Sequence, residues 1–172
     1  MKTTNEYSFK KYSQTFPRFF RLEKTKLKKI FSEALIEHVG SSSVEGLSGK
    51  GIIDIIVAVP RRELTKSIVI LQRAGYDYRI SGGNFERKFF QKIISHAGKN
   101  RRIHIHLTYV RSRTWNSMIS IRDYLKTHTA VAKEYAKVKK QAVKHAKGDG
   151  KKYREYKSVF LKKLEKTVMK KF

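Results

Sequence analysis

Residues 36–59 read IEHVGSSSVEGLSGKGIIDIIVAV, and this stretch decides the fold. An apolar-leaning segment ends in His38-Val39 and runs into a turn of small residues, Gly40-Ser41-Ser42-Ser43. A bend closed by Gly49 and Gly51 follows. Residues 52–59 are then β-branched and almost unbroken, which predicts a central strand covered on both faces. Its one polar residue is Asp54. A small-residue turn after one strand and a carboxylate on the next commonly bring a phosphate and a metal ion together. Glycine lets the backbone approach a phosphate, small turn residues expose N–H groups to an anion, and serine adds a hydroxyl donor. A carboxylate within a buried strand is costly unless it is paired or metal-bound. Two partners fit: a divalent cation such as Mg²⁺ shared with substrate phosphates, or hydrogen bonds from serine or Lys50 if Asp54 sits at the strand end.

Outward from this stretch, Pro17 suits the first turn of a helix with Thr15 as its cap. That helix is expected to reach about residue 35, with Phe20, Leu27, Ile30, Phe31 and Ala34 on one face. Residues 35–39 form a strand and residues 44–47 a helical turn. Beyond Pro60, residues 63–74 predict a helix with Leu64, Ile68 and Leu71 inward, stopped by Gly75. A strand at 76–80, a loop at 81–84 and a hairpin of strands 85–95 and 101–110 follow. The period then changes. Helices are predicted over 115–127, 130–146 and 152–171, with Val131, Tyr135, Val138 and Ala142 inward on the second and Tyr156, Phe160, Leu164 and Val168 on the third. Trp115 and the helix tyrosines read as core.

The chain has 172 residues, enough for one domain with a real core, and no cysteine, so no disulfide or Cys-based zinc site can form. Residues 52–59 are its longest apolar run, far short of the about 20 needed for a membrane-spanning helix, and the N-terminus lacks the apolar core of a signal peptide. A cytoplasmic protein without a membrane span is expected. Lys and Arg total 40 against 14 acids, a net charge of +26. Such a field attracts polyanions, RNA among them; the same lysines also fit a solvated surface, because they are spread along helices. From Lys126 onward there are 16 Lys or Arg and 4 acids, so the helical half carries much of the field.

The motif HVGSSSVEGLSGKGIIDIIV resembles the signature of the GrpB-like family, His-Ile/Val-Gly-Ser-Thr-x-Val-Pro-Gly-Leu followed by Lys-Pro-Ile-Ile-Asp-Ile. The resemblance continues in Gly75-Tyr76, in Arg87 before Phe90, in His104-Ile105-His106, and in Ile121-Arg122-Asp123-Tyr124-Leu125-Lys126-x-His128. It ends with Tyr153 and Lys157 before Phe160, having run in order over about residues 36–160. That family is placed in the nucleotidyltransferase superfamily. The resemblance implies an α+β fold: a nucleotidyltransferase-like mixed β-sheet flanked by helices, with a C-terminal helical portion. The expected layout is an arm at 1–15, a core at 16–112 and a basic helical region at 113–172 packed on it as one compact unit. It also implies a nucleoside triphosphate, a divalent metal (Mg or Mn) and nucleotidyl transfer to an unknown acceptor. The departures are Glu45 and Gly51 in place of proline and Ile56 where the superfamily carries a second acid. Where the third acid is expected, the strand offers His104 and His106.

These two histidines alternate to the same strand face, and a pair of imidazoles suits Zn²⁺, Mn²⁺ or Ni²⁺ better than Mg²⁺. The expected metal set is therefore Asp54, His104 and His106, with Asp54 also the catalytic residue. His38 is either a further member or an orienter of the loop. The expected substrate and phosphate contacts are Gly40, Ser41, Ser42, Lys50, Arg87, Arg122, Tyr153 and Lys157. Arg87 and Lys157 are favoured as phosphate ligands, and Arg122 beside Asp123 fits a helix ion pair equally well. The alternative function is a catalytically degenerate nucleotide- or RNA-binding module that uses the basic surface; a weaker third is a metal-dependent hydrolase. Nothing in the sequence sets an oligomeric state.

Overall fold

The computed structural model describes residues 9–170. Residues 1–8 of the expected arm and the expected helix end at Lys171 lie outside them. The elements run α1 (Phe16–Ile30), β1 (Leu35–Val39), β2 (Ile53–Val59), α2 (Leu64–Arg73), β3 (Asp77–Tyr78), β4 (Lys88–His96), β5 (Lys99–Tyr109), α3 (Arg113–Thr127), α4 (Thr129–Ala146) and α5 (Gly150–Met169). One five-stranded sheet has the order β1-β2-β5-β4-β3. Strands β2 and β5 are parallel and the other pairings antiparallel, so the sheet is mixed. The fold is α+β, as the resemblance implied.

The alternation along β2 builds two faces. Ile53, Ile55, Val57 and Val59 pack with Ile103, Ile105 and Leu107 of β5 under Phe16, Phe19 and Leu27 of α1 and Leu71 of α2. Each such side chain, fully buried, contributes about 1.5–3 kcal/mol. The opposite face of β2 and β5 carries Asp54, Ile56, His104 and His106, and the C-terminal helices stand on that side. Among them Val44, Leu47, Leu125, Tyr135, Leu164 and Val168 form a second core. Among the described residues no helix is long and apolar enough to cross a membrane.

Several boundaries differ from expectation for local reasons. Helix α1 stops at Ile30, because Phe31 leaves the helical conformation and Lys28 Nζ caps the carbonyls of Ser32 and Ala34. Its inner face is Phe16, Phe19, Glu23 and Leu27, not the Phe20 face, and Thr15 makes no side-chain cap. Phe31 and Ala34 are still buried, but from the loop that follows. A short helical turn lies at Ser41–Ser43, and the expected turn at 44–47 follows it, closed by the Leu47 N–H on the Val44 carbonyl at 3.1 Å. Strand β4 begins at Lys88, because Asn84 Oδ1 accepts from the Glu86 and Arg87 N–H groups and holds a turn there. Strand β3 shrinks to two residues before a short helical turn at Ile80–Gly82.

Candidate functional site

Gly40 follows β1 and lies directly over Asp54. Its φ is +69°, and a Cβ there would sit 2.6 Å from Asp54 Oδ2, so both backbone and space call for glycine. Ser43 N–H and Oγ both donate to the Gly40 carbonyl, at 3.2 and 2.6 Å, which closes the turn. Downstream, Val44 and Leu47 are buried among the C-terminal helices and anchor the loop between the two halves. Gly49 pairs with Lys10 by two backbone hydrogen bonds of 2.7 and 2.9 Å, and a Cβ on it would lie 2.5 Å from Ser41 Oγ. The small residues thus fold the loop back on itself against Asp54.

His38 takes no part in the Asp54 cluster. It pairs with Ile55 in the ladder, stacks on Phe20 of α1 at 4.8 Å, and its Nε2 lies 3.0 Å from Ser42 Oγ. Burial pushes its pKa down to about 4. It therefore orients the loop, and Ser42 is turned toward it rather than toward Asp54.

Asp54 and His104 face each other in the β2–β5 register, with His106 one step along. His104 Nδ1 and His106 Nε2 both lie on Asp54 Oδ1, at 3.2 and 3.3 Å. Arg87 Nη1 reaches His106 Nδ1 at 3.1 Å, and Nη2 donates to the Gly82 carbonyl at 3.0 Å. A guanidinium can only donate, so His106 Nδ1 accepts. The ring proton of a neutral His106 is then on Nε2, donating to Asp54. Burial lowers the pKa of His106, and Arg87 and His104 add to the fall against the pull of Asp54. Burial alone would raise the Asp54 carboxyl, but the two imidazole hydrogen bonds outweigh it and hold it well below the ordinary range. Phe89 of β4 packs edge-on to His104 at 4.8 Å and against His106 at 5.4 Å, bracing both rings.

A second cluster adjoins the first. Lys139 of α4 is only 2 % exposed, donates to the Ser48 carbonyl and lies over the Tyr135 ring at 4.6 Å. Its Nζ would be 3.4 Å from a Cβ on Gly49, which places it beside Ser41. Burial lowers its pKa to about 7; Lys157 pushes the same way, and Asp54 opposes. Lys50 and Lys157 both lie over this cluster's other ring, Tyr153, at 4.6 and 5.4 Å. Burial raises the Tyr135 hydroxyl, and Asp54 raises it further.

A family model described as "GrpB protein" matches residues 7–167. The chain belongs to the GrpB family. It is 30% identical over 158 residues to the "Glutamate-rich protein GrpB" of Alkalihalophilus pseudofirmus, covering 89% of this chain and 90% of that protein. It is 32% identical over 133 residues to the UPF0157 protein YqkA of Bacillus subtilis strain 168; that match takes in 76% of this chain and spans only 38% of the relative's length. The crystal structure of the conserved protein GrpB from Enterococcus faecalis superposes with a TM-score of 0.80 at 30% identity, covering 95% of this chain and 98% of that one. The Cid1 poly(U) polymerase with bound MgGTP superposes with a TM-score of 0.52 at 18% identity, over 80% of this chain and 44% of that one, a likeness of fold.

In this GrpB-family chain the expected metal set meets but does not fit a protein-only metal centre. Asp54 Oδ1 accepts from both imidazoles, and His106 uses both ring nitrogens, one on Asp54 and one on Arg87. Among the described residues no group of three or more His, Asp or Glu side chains is arranged to hold a metal ion. Among the described residues no second carboxylate joins Asp54 in these contacts. Ile56 is fully buried, and Glu37, its neighbour on β1, is held by Arg122 Nη1 at 2.7 Å.

Of the sequence candidates, Gly40, Ser41, Asp54, His104, His106 and Arg87 converge, and Lys50, Tyr153 and Lys157 form the adjoining cluster. Arg122 stands apart: it ties α3 to β1 through Glu37 and the His38 carbonyl (3.1 Å) and bonds Asp123 at 2.8 Å. Lys139 was missed. It follows Tyr135 by one helical turn on the inner face, a signal that a lysine in an apolar stripe could have given. Glu86 was missed too. Its carboxylate accepts from Tyr109 Oη, the Arg113 and Thr114 N–H groups and Thr114 Oγ1, and it binds the start of α3 to the loop that carries Arg87.

Proposed function

We propose that the protein binds a nucleoside triphosphate, with its phosphates against Gly40, Ser41 and the lysines 50, 139 and 157 and its reacting end toward Asp54. The observation that carries this is Lys139, a lysine buried in a niche over the Tyr135 ring beside the Ser41 turn, with two further lysines on the adjoining ring. Its burial and the nearby Lys157 both disfavour its charged form. A polyphosphate offsets both. The likeness of fold to a polymerase crystallised with MgGTP supports the same reading. A divalent cation arriving with the nucleotide would be shared by Asp54 and phosphate oxygens, where it supplies charge neutralisation. If transfer occurs, an acceptor oxygen bonds the α-phosphorus in line as the bond to pyrophosphate breaks, and the acceptor's proton leaves to solvent. The chain's own residues contribute position and charge.

A second reading, a module that binds nucleotide without transfer, is favoured by the buried Ile56 and the Arg122-held Glu37. Isothermal calorimetry with ATP, GTP, CTP and UTP, with and without Mg²⁺ or Mn²⁺, tests the binding claim. Heat with at least one nucleotide, lost in Lys139→Met, is expected; no heat with any of them sinks both readings. Transfer of label from an α-³²P nucleotide, present in the wild type and absent in Asp54→Asn, separates the first reading from the second.

A further inference from the structure

Helix α4 has a face that the nucleotide site does not use. Its inner side is occupied by Tyr135, Lys139, Ala142 and Ala146. On the outer side stand Lys133, Lys137, Lys140 and Lys144, with Lys147 at the C-cap, each three or four residues from the next and all exposed. Successive side chains at this spacing lie one above another, so the row runs for about 21 Å along a rigid helix at 1.5 Å per residue. Among the described residues none of these five lysines makes an ion pair or hydrogen bond. Like charges at such spacings repel and weaken a helix, so the row is held at a cost that an extended anion would remove. Along its flank His145 of α4 and Tyr156 of α5, both exposed, pack together with ring centroids 5.2 Å apart and planes tilted by 39°.

We propose that this outer face of α4 is a track for a single-stranded polynucleotide, with phosphates on the lysine row and bases stacked on Tyr156 and His145. A line of cations beside an exposed aromatic pair is the arrangement that binds single strands without reading sequence. A membrane surface fits less well, because α4 turns its apolar residues inward and offers none beside the row to enter the acyl layer.

Fluorescence anisotropy with a labelled single-stranded oligouridine, without nucleotide, tests this apart from the triphosphate site. Five phosphate contacts give a slope of log affinity against log salt of about −3.5, so binding weakens about 100-fold between 50 and 200 mM salt. Substituting glutamine for Lys133, Lys137, Lys140 and Lys144 keeps helix propensity and brings the slope to about −0.7. A control with glutamine for Lys29, Arg62, Lys66 and Lys99 removes the same charge from exposed positions elsewhere and keeps the slope. Tyr156→Ala weakens binding about 5-fold or more, the loss of one stacked base. Equal losses in the two quadruple variants would mean a diffuse field and overturn the track. Preference for phosphatidylserine vesicles over the oligonucleotide overturns it as well.

Discussion

Arg87→Leu tests the hydrogen-bond chain on which the Asp54 site rests. The substitution keeps much of the side chain's bulk and removes the donors to His106 Nδ1 and the Gly82 carbonyl. Gly82 lies in a partly exposed turn, where water replaces the lost bond. His106 is only 7% exposed, so its Nδ1 becomes a buried acceptor without a partner, at a cost of about 1–3 kcal/mol. For a domain of this size each kcal/mol lowers Tm by about 2–4 °C, so calorimetry should register a fall of about 2–12 °C. Stability alone does not isolate the chain. The sharper readout is the imidazole ¹⁵N spectrum. In the wild type at pH 7, His106 should be neutral with its proton on Nε2. In Arg87→Leu Asp54 still keeps the proton on Nε2, while Nδ1 loses its donor, so the Nδ1 resonance moves toward that of an unbonded ring nitrogen. A wild-type His106 that carries a proton on Nδ1, alone or with one on Nε2, would refute the bond from Arg87 to that nitrogen. A variant spectrum identical to the wild type would refute the role of Arg87.

Three further perturbations follow from the same geometry. Gly40→Ala forces a Cβ to within 2.6 Å of Asp54 Oδ2 at positive φ, so it should lose at least about 1–2 kcal/mol in denaturant unfolding and lose nucleotide binding with it. Lys139→Met should weaken triphosphate binding about 10- to 100-fold by calorimetry. The same variant should lose a pH dependence of stability. Between pH 7 and 10.5 the unfolded lysine holds a proton that buried Lys139 has released, so wild-type stability rises with pH across that window and the variant's does not. His38→Phe keeps the stack on Phe20 and removes a group whose folded pKa is about 4. Below pH 6.5 the unfolded histidine binds a proton that the buried ring refuses. The wild type should therefore lose about 3 kcal/mol between pH 6.5 and 4 from this group, a loss absent in the variant's urea midpoints.

What the sequence disclosed and what it hid divide along physical lines. Strand β2 was legible because a β-branched run with one acid admits few other conformations, and the turn at Gly40 because small residues there have little other use. The same-face placement of His104 and His106 follows from strand periodicity alone. Their meeting at Asp54 depends on the parallel β2–β5 register, a pairing between segments 50 residues apart that no local pattern sets. Arg87 and Arg122 looked alike as basic residues. The first is turned to His106 by the Asn84 turn, and the second to Glu37 by the packing of α3 on β1. Lys139 and Glu23 were hidden because periodicity assigns charged residues to the outside. Both are buried, Lys139 against a backbone carbonyl and a tyrosine face and Glu23 against the Tyr76 hydroxyl.

Ile56 is better understood as part of this arrangement than as a missing acid. In the ladder it stands between Glu37 and His106. A second carboxylate at that position would compete with Asp54 for the proton on His106 Nε2, or need a bound cation to relieve two buried anions side by side. With isoleucine there, the two imidazoles satisfy Asp54 as hydrogen-bond donors, and those bonds hold its carboxyl well below the ordinary range. Arg87, Lys139 and Lys157 are the basic side chains that stand near it, with Lys139 held only partly charged by its burial. The low pKa of Asp54 thus follows from one pattern: an isoleucine at 56, histidines at 104 and 106, and an arginine at 87 that sets which way the proton faces.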